Sequence, residues 1–67
     1  MHYEIGRQYA IEGMIDEAIT EMKNAARADP KSEEAHYALM ILYAKKGMVG
    51  EAMAELERTL GIIWRSP

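Results

Sequence analysis

The chain of 67 residues contains no cysteine. That absence removes a disulfide framework, a cysteine-based zinc site and a thiol nucleophile together, although it does not decide the redox compartment. A chain near this length forms at most one small domain and buries only about 60% of the surface that its unfolded form exposes. Side-chain packing must therefore supply the stability.

Long apolar runs and a basic face are missing as well. No run approaches the roughly 20 apolar residues of a membrane span, and the first residues are polar and aromatic where a signal peptide needs an apolar core. The formal charge is −3, and the eight Lys and Arg residues are scattered along the chain. A nucleic-acid footprint needs clustered cations. We therefore expect a cytoplasmic chain that neither spans a membrane nor binds nucleic acid.

What the sequence does contain is an internal repeat. The stretch YAIEGMIDEAITEM, residues 9 to 22, comes back without a gap as YAKKGMVGEAMAEL, residues 43 to 56, which is 34 residues later. Glycine and proline punctuate both copies, at Gly13, Pro30 and Gly47. A chain that repeats in register predicts two copies of one structural unit.

The spacing of small and apolar residues predicts helices. Between Asp16 and Ala28 they fall on one helix face, at Ala18, Ile19, Met22, Ala25 and Ala26. Asp16 is the expected N-cap of this helix, and Ser32 is that of the next, which runs to Lys45 and Lys46. The 34-residue offset then predicts a first helix from His2 to Glu12 and a fourth that opens at Gly50 or Glu51.

One segment also suits a buried strand, because YALMILYA, residues 37 to 44, is an unbroken apolar run. Its upstream copy, YEIGRQYA, is interrupted by polar residues, and the tyrosines that the copies share sit at helical spacing. We therefore predict an all-α fold of four helices, arranged as two helix pairs.

This pattern resembles the tetratricopeptide repeat, whose 34-residue unit reads Trp-x2-Leu-Gly-x2-Tyr, then Ala-x3-Phe, then Pro. The corresponding residues of the first copy are His2, Ile5, Gly6, Tyr9, Ala18, Met22 and Pro30, and those of the second are His36, Leu39, Met40, Tyr43, Ala52, Leu56 and Trp64. The resemblance covers essentially the whole chain. It implies an α-solenoid fragment formed by residues 1–67, with repeat one at 1–32 and repeat two at 33–67. Small residues would let the paired helices approach, while Ile5, Leu39, Met22, Leu56 and the tyrosines fill the space between them.

The departures from the pattern fall mostly in the second copy. Met40 replaces Gly6 and needs room, and Trp64 replaces Pro30, so that nothing obliges the last helix to stop. Such arrays normally end in a helix with a polar outer face. We therefore expect self-association, as a homodimer or a higher homo-oligomer, through Leu60, Ile63 and Trp64.

The resemblance also implies a concave groove lined by the first helix of each pair. Carried over, its partner-binding residues are Tyr3, Arg7, Ile11, Tyr37, Ile41 and Lys45. Members that bind the acidic tails of heat-shock chaperones place lysine, asparagine and arginine at these sites. This groove is mostly apolar and aromatic, so we expect a peptide or helix of another protein and no chaperone tail.

The histidines and tyrosines could have specific chemical roles, but structural roles explain them more simply. His2 and His36 could ligate a metal, but only Met40 follows at helical ligand spacing, so packing is the better interpretation. The tyrosines could stack on nucleobases, yet no basic groove surrounds them. No acid, base, metal or phosphate constellation is found, which predicts a non-catalytic binding scaffold without a cofactor. The alternatives are a fragment of a longer repeat array and a regulatory subunit of an enzyme complex.

Overall fold

A computed structural model describes residues 2–65 of the chain, and these form four α-helices with no strand. The helices are α1 (His2–Ile11), α2 (Ile15–Ala28), α3 (Glu33–Lys45) and α4 (Val49–Arg65). The predicted all-α class is confirmed. Each helix packs on the next one in the chain, so α1 with α2 and α3 with α4 form two helix pairs, and α2 against α3 joins them.

The two tight turns within the pairs have the same geometry. Gly13 and Gly47 have φ values of 79° and 83°, in the left-handed region that glycine adopts without a Cβ penalty. The Gly13 amide donates to the Ala10 carbonyl at 3.1 Å, and the Met14 amide reaches back to the Tyr9 carbonyl at 2.9 Å. The same two bonds recur around Gly47, so each turn is a Schellman motif that satisfies the last carbonyls of the preceding helix.

The turn between the pairs is built from polar caps. The Asp29 carboxylate accepts from the Lys31 amide at 3.2 Å, just after α2 ends. The Ser32 hydroxyl then accepts from the Ala35 amide, also at 3.2 Å, which confirms Ser32 as the N-cap of α3.

Two predicted helix starts are wrong by one or two residues. Asp16 is not the cap of α2: the capping residue is Met14, which makes no side-chain cap hydrogen bond. Likewise α4 begins at Val49 rather than at Gly50 or Glu51. The reason is the Schellman turn, since the carbonyl of its last residue, Met14, already accepts the Ala18 amide at 2.9 Å. The turn therefore leads into the next helix without an intervening polar cap.

The core runs through the middle of the stack. Its buried cluster contains Ala18, Ile19, Met22, Leu39, Leu42, Tyr43 and Ala52. Two residues that we expected to fill the space between helices lie outside it. Ile5 is 48% exposed and Leu56 is half-buried. They lie on the two outer helices, α1 and α4, and residues 2–65 form no further helix that covers them.

Candidate functional site

A hollow between α1 and α3 brings together four of the six predicted groove residues. This central hollow, of about 160 Å³, is lined by Tyr3, Arg7, Ala10, Met22, Ala38, Ile41, Leu42 and Lys45. Tyr3 and Arg7 come from α1, and Ile41 and Lys45 come from α3. The buried side chains of Met22 and Leu42 form its apolar base. Its charged lining residues are Arg7 and Lys45, both cations.

Ile11 lies beside the central hollow rather than in it. It lines a wider depression of about 560 Å³, together with Tyr3, Glu4, Arg7, Gln8 and Glu34. Tyr3 and Arg7 line both depressions, so the two depressions form one continuous surface. Ile11 is 70% exposed, so it extends this surface with apolar area at the end of α1.

Tyr37 occupies a different place from the other predicted groove residues. It lines a hollow of about 260 Å³ between α3 and α4, with Glu33, Glu34, Thr59 and Ile63. The two helices are joined by a tight turn and run antiparallel, so the start of α3 lies beside the last third of α4. The structure therefore places Tyr37 next to Ile63, which sequence reasoning assigned to a separate, self-associating surface.

The predicted self-association residues all lie exposed on α4. Leu60 is 44% exposed, Ile63 49% and Trp64 81%. The helix continues past Gly61 to Arg65, because Trp64 stands where the first copy has Pro30 and does not stop the helix. These side chains therefore extend an apolar surface along the outer end of α4.

A buried polar pair was missed at the sequence level. His36 and Glu55 are 8% and 5% exposed, and His36 Nδ1 lies 2.7 Å from Glu55 Oε1. His36 Nε2 donates to the Pro30 carbonyl at 2.9 Å, and Arg58 donates to the other Glu55 oxygen at 2.6 Å. Both ring nitrogens are thus engaged. Each of them faces an oxygen atom of the protein, so neither is free to bind a metal.

The first repeat contains the same pair at the surface. His2 Nδ1 lies 2.7 Å from Glu21 Oε1, across the same separation of 19 residues. Here the side chains are 50% and 22% exposed. The two glutamates recur at the repeat interval, as the histidines do, and this recurrence was the available signal.

Two further features of the described residues bear on other functions. Within residues 2–65, no group of three or more His, Cys, Asp or Glu side chains is arranged to hold a metal ion. None of the described helices has the length and apolar character that crossing a membrane requires.

Comparison with known proteins decides the family. A family model described as tetratricopeptide repeat matches residues 9–62, which is more than half of the chain. The chain belongs to the tetratricopeptide repeat family. No significant match to a curated protein is found. Repeats of this family generally mediate protein–protein interaction and are typically non-catalytic.

The small residues of the tetratricopeptide pattern lie buried where the helices pack together. Ala18 is fully buried and Ala52 is 8% exposed. A Cβ added at Gly6 would lie 3.2 Å from the Glu21 Cβ and from two atoms of Met22, which leaves little space between α1 and α2. In the second copy Met40 occupies this position and is half-buried against the core.

Proposed function

We propose that the chain is a non-catalytic scaffold whose surface over α1 and α3 binds a peptide or helix of another protein. The observation that supports this is the central hollow, where side chains from both sequence copies surround one apolar depression. A cavity of about 150 Å³ holds a benzene ring. The central hollow, at about 160 Å³, therefore suits one aromatic or branched aliphatic side chain of a partner.

The rim of the hollow defines how that side chain would be held. Ile41 is 37% exposed and offers apolar contact, while Arg7 and Lys45 are positioned to meet polar or acidic groups beside the inserted side chain. Aromatic and arginine side chains commonly dominate such interfaces, and Tyr3 and Arg7 are of these types. The neighbouring depression with Ile11 would extend the contact along the partner.

Selection from a displayed random-peptide library tests the proposal. Peptides enriched on the wild-type chain are titrated against Ile41→Glu, which puts a charge in the hollow, and against Val49→Glu as a control. Val49 is 67% exposed at the start of α4 and does not line the hollow. We expect Ile41→Glu to weaken binding at least about tenfold, or roughly 1.4 kcal/mol, and Val49→Glu to leave it unchanged.

Peptides that bind Ile41→Glu as well as they bind the wild type would place the binding surface elsewhere. Tyr37→Ala then tests whether such peptides bind instead in the hollow between α3 and α4. If it weakens peptides that Ile41→Glu does not affect, the hollow between α3 and α4 is the binding site.

We also propose that α4 mediates self-association. The support is the exposure of Leu60, Ile63 and Trp64 on one helix, since fully burying a large apolar side chain contributes about 1.5–3 kcal/mol. Light scattering across a dilution series tests this, with an average mass that rises above the monomer as concentration increases. A constant monomer mass up to high micromolar concentration would refute it.

A further inference from the structure

The two ends of the stack expose residues whose counterparts, 34 positions away, are buried inside it. Ile5 on α1 is 48% exposed, whereas its counterpart on α3, Leu39, is 2% exposed. Met53 on α4 is 54% exposed, whereas its counterpart on α2, Ile19, is 7% exposed. Ile19 and Leu39 belong to one buried cluster, formed where α2 packs against α3.

A second position on α4 is also more exposed than its counterpart on α2. Ala26 on α2 is half-buried and packs against the core cluster, and its counterpart on α4 is the larger Leu60, which is 44% exposed. The outer face of α4 thus carries the counterparts of residues that α2 packs in or against the core, and α1 carries the counterpart of a residue that α3 buries there. Each end face therefore corresponds to one side of the internal contact between α2 and α3.

We propose that the partner of α4 is α1 of a second copy of this chain, docked head to tail as α2 packs on α3 within one copy. This inference rests on the proposed self-association and adds which surface receives α4. The internal contact between α2 and α3 shows that the counterpart positions pack together within one copy, and it is the template for the docked pair.

The histidine pairs agree with this arrangement. Within the chain, the His36–Glu55 pair is buried beside the α2–α3 turn, where the Pro30 carbonyl accepts from His36. The His2–Glu21 pair has the same 2.7 Å contact but lies at the exposed end, with the His2 side chain 50% accessible. Docking would bring the end of α4 from the neighbouring copy over His2, since Trp64 is the counterpart of Pro30.

A head-to-tail contact also predicts how the assembly grows. Each added copy covers one end face and presents another, so a heterologous contact that does not close into a ring continues. The wild-type chain should therefore pass the dimer mass as concentration rises. A symmetric contact between two α4 helices would stop at the dimer.

Mixing two end-blocked variants tests the proposal. One variant carries Ile5→Glu on the α1 face, and the other carries Met53→Glu with Leu60→Glu on the α4 face. All three positions are at least 44% exposed in the monomer, so the fold should persist, which far-ultraviolet circular dichroism checks. We expect each variant alone to be a monomer by light scattering, and an equimolar mixture to form a dimer through the two unmodified faces.

Ala28→Glu is the control for the α1 variant, because it places the same charge at an exposed position of α2, outside both end helices. It should associate as the wild type does. If Ile5→Glu alone still dimerises, α4 contacts another α4 and the head-to-tail proposal is wrong while self-association stands. If the wild type associates but the mixture stays monomeric, the proposal is also wrong. A monomeric wild type refutes the self-association itself.

Discussion

At the scale of single residues, one histidine–glutamate contact occurs twice in different surroundings. Both pairs have 2.7 Å between Nδ1 and the carboxylate oxygen. The His36–Glu55 side chains are 10% and 7% exposed, while those of His2 and Glu21 are 50% and 22% exposed. An ion pair or hydrogen bond that is exposed to water contributes little, whereas removal of one partner from a buried pair is costly. The chain therefore contains its own comparison of the two cases.

Replacing His36 by alanine should destabilise the fold strongly. The change removes the contacts to Glu55 and to the Pro30 carbonyl and leaves a buried carboxylate. We expect a loss of roughly 3 kcal/mol, at the lower end of the range for breaking a buried pair, because Arg58 still contacts Glu55. His2→Ala is the matched control and should cost about 0–1 kcal/mol. Urea unfolding followed by circular dichroism measures both, and equal losses would contradict the assigned roles.

The sequence indicated that both histidines pack within the repeats, but it did not identify their glutamate partners. Each partner lies 19 residues away on the next helix. Charged residues are ordinarily expected at the surface. Burial of Glu55, at 5% exposure, beside the half-buried Leu56 reverses that expectation. Only the packing of α3 on α4 reveals it.

At the scale of elements, the helix pairs depend on small residues at their contacts. Ala18 on α2 has no exposed surface, and the space at Gly6 on α1 is limited by the Glu21 and Met22 side chains. The repeated glycines, the alanines and Ser32 were sufficient to predict the number, order and approximate bounds of the helices. The starts of α2 and α4 were not predicted, since backbone hydrogen bonds of the Schellman turns set them.

Enlarging Ala18 should therefore destabilise the α1–α2 pair. Ala18→Leu adds three carbons at a fully buried site, and overpacking of this kind costs about 1–3 kcal/mol. Ala52→Leu should act in the same direction in the second pair. Ala28→Leu is the control, because Ala28 lies exposed at the end of the same helix, α2. Chemical denaturation gives the three values, and no measurable effect at both buried sites would count against the assigned register.

Placement of the groove residues was predicted less well than the helices. Tyr3, Arg7, Ile41 and Lys45 meet in the central hollow because the first helices of the two pairs lie near one another there. Tyr37 is only one helical turn from Ile41, yet it lines the hollow with Thr59 and Ile63. A position within one helix does not specify which neighbouring helix its side chain will reach, and the antiparallel packing of α4 decides it.

At the scale of the whole molecule, the fold is a thin slab. Its principal extents are 36 × 26 × 15 Å, so most side chains are close to a surface. Ordering a residue costs about 1.5 kcal/mol in conformational entropy, which a small core barely offsets. A slab with uncovered apolar ends therefore gains stability from any partner that covers them.

The unfolding temperature should consequently rise with protein concentration. Association stabilises the native state by mass action, so the midpoint shifts upward as the chain is concentrated. Ile63→Ser with Trp64→Ser should lower both the average mass and the midpoint, since it removes exposed apolar area from α4. Differential scanning fluorimetry at several concentrations measures the shift. A midpoint independent of dilution, with Trp64 emission typical of a solvated indole, would argue against association.

The backbone of the two Schellman turns determines which amino-acid configuration, L or D, each turn accommodates. Gly13 and Gly47 both have positive φ, and a Cβ built at either position would meet nothing within 4 Å. An L-alanine there would be opposed by its own backbone and not by its neighbours, and a residue of mirror-image configuration prefers this very region. On backbone grounds, a chemically synthesised chain with D-alanine at both turns should keep the fold and restrict its unfolded state, so Gly13 and Gly47 are two positions of the described chain where the backbone favours the opposite enantiomer.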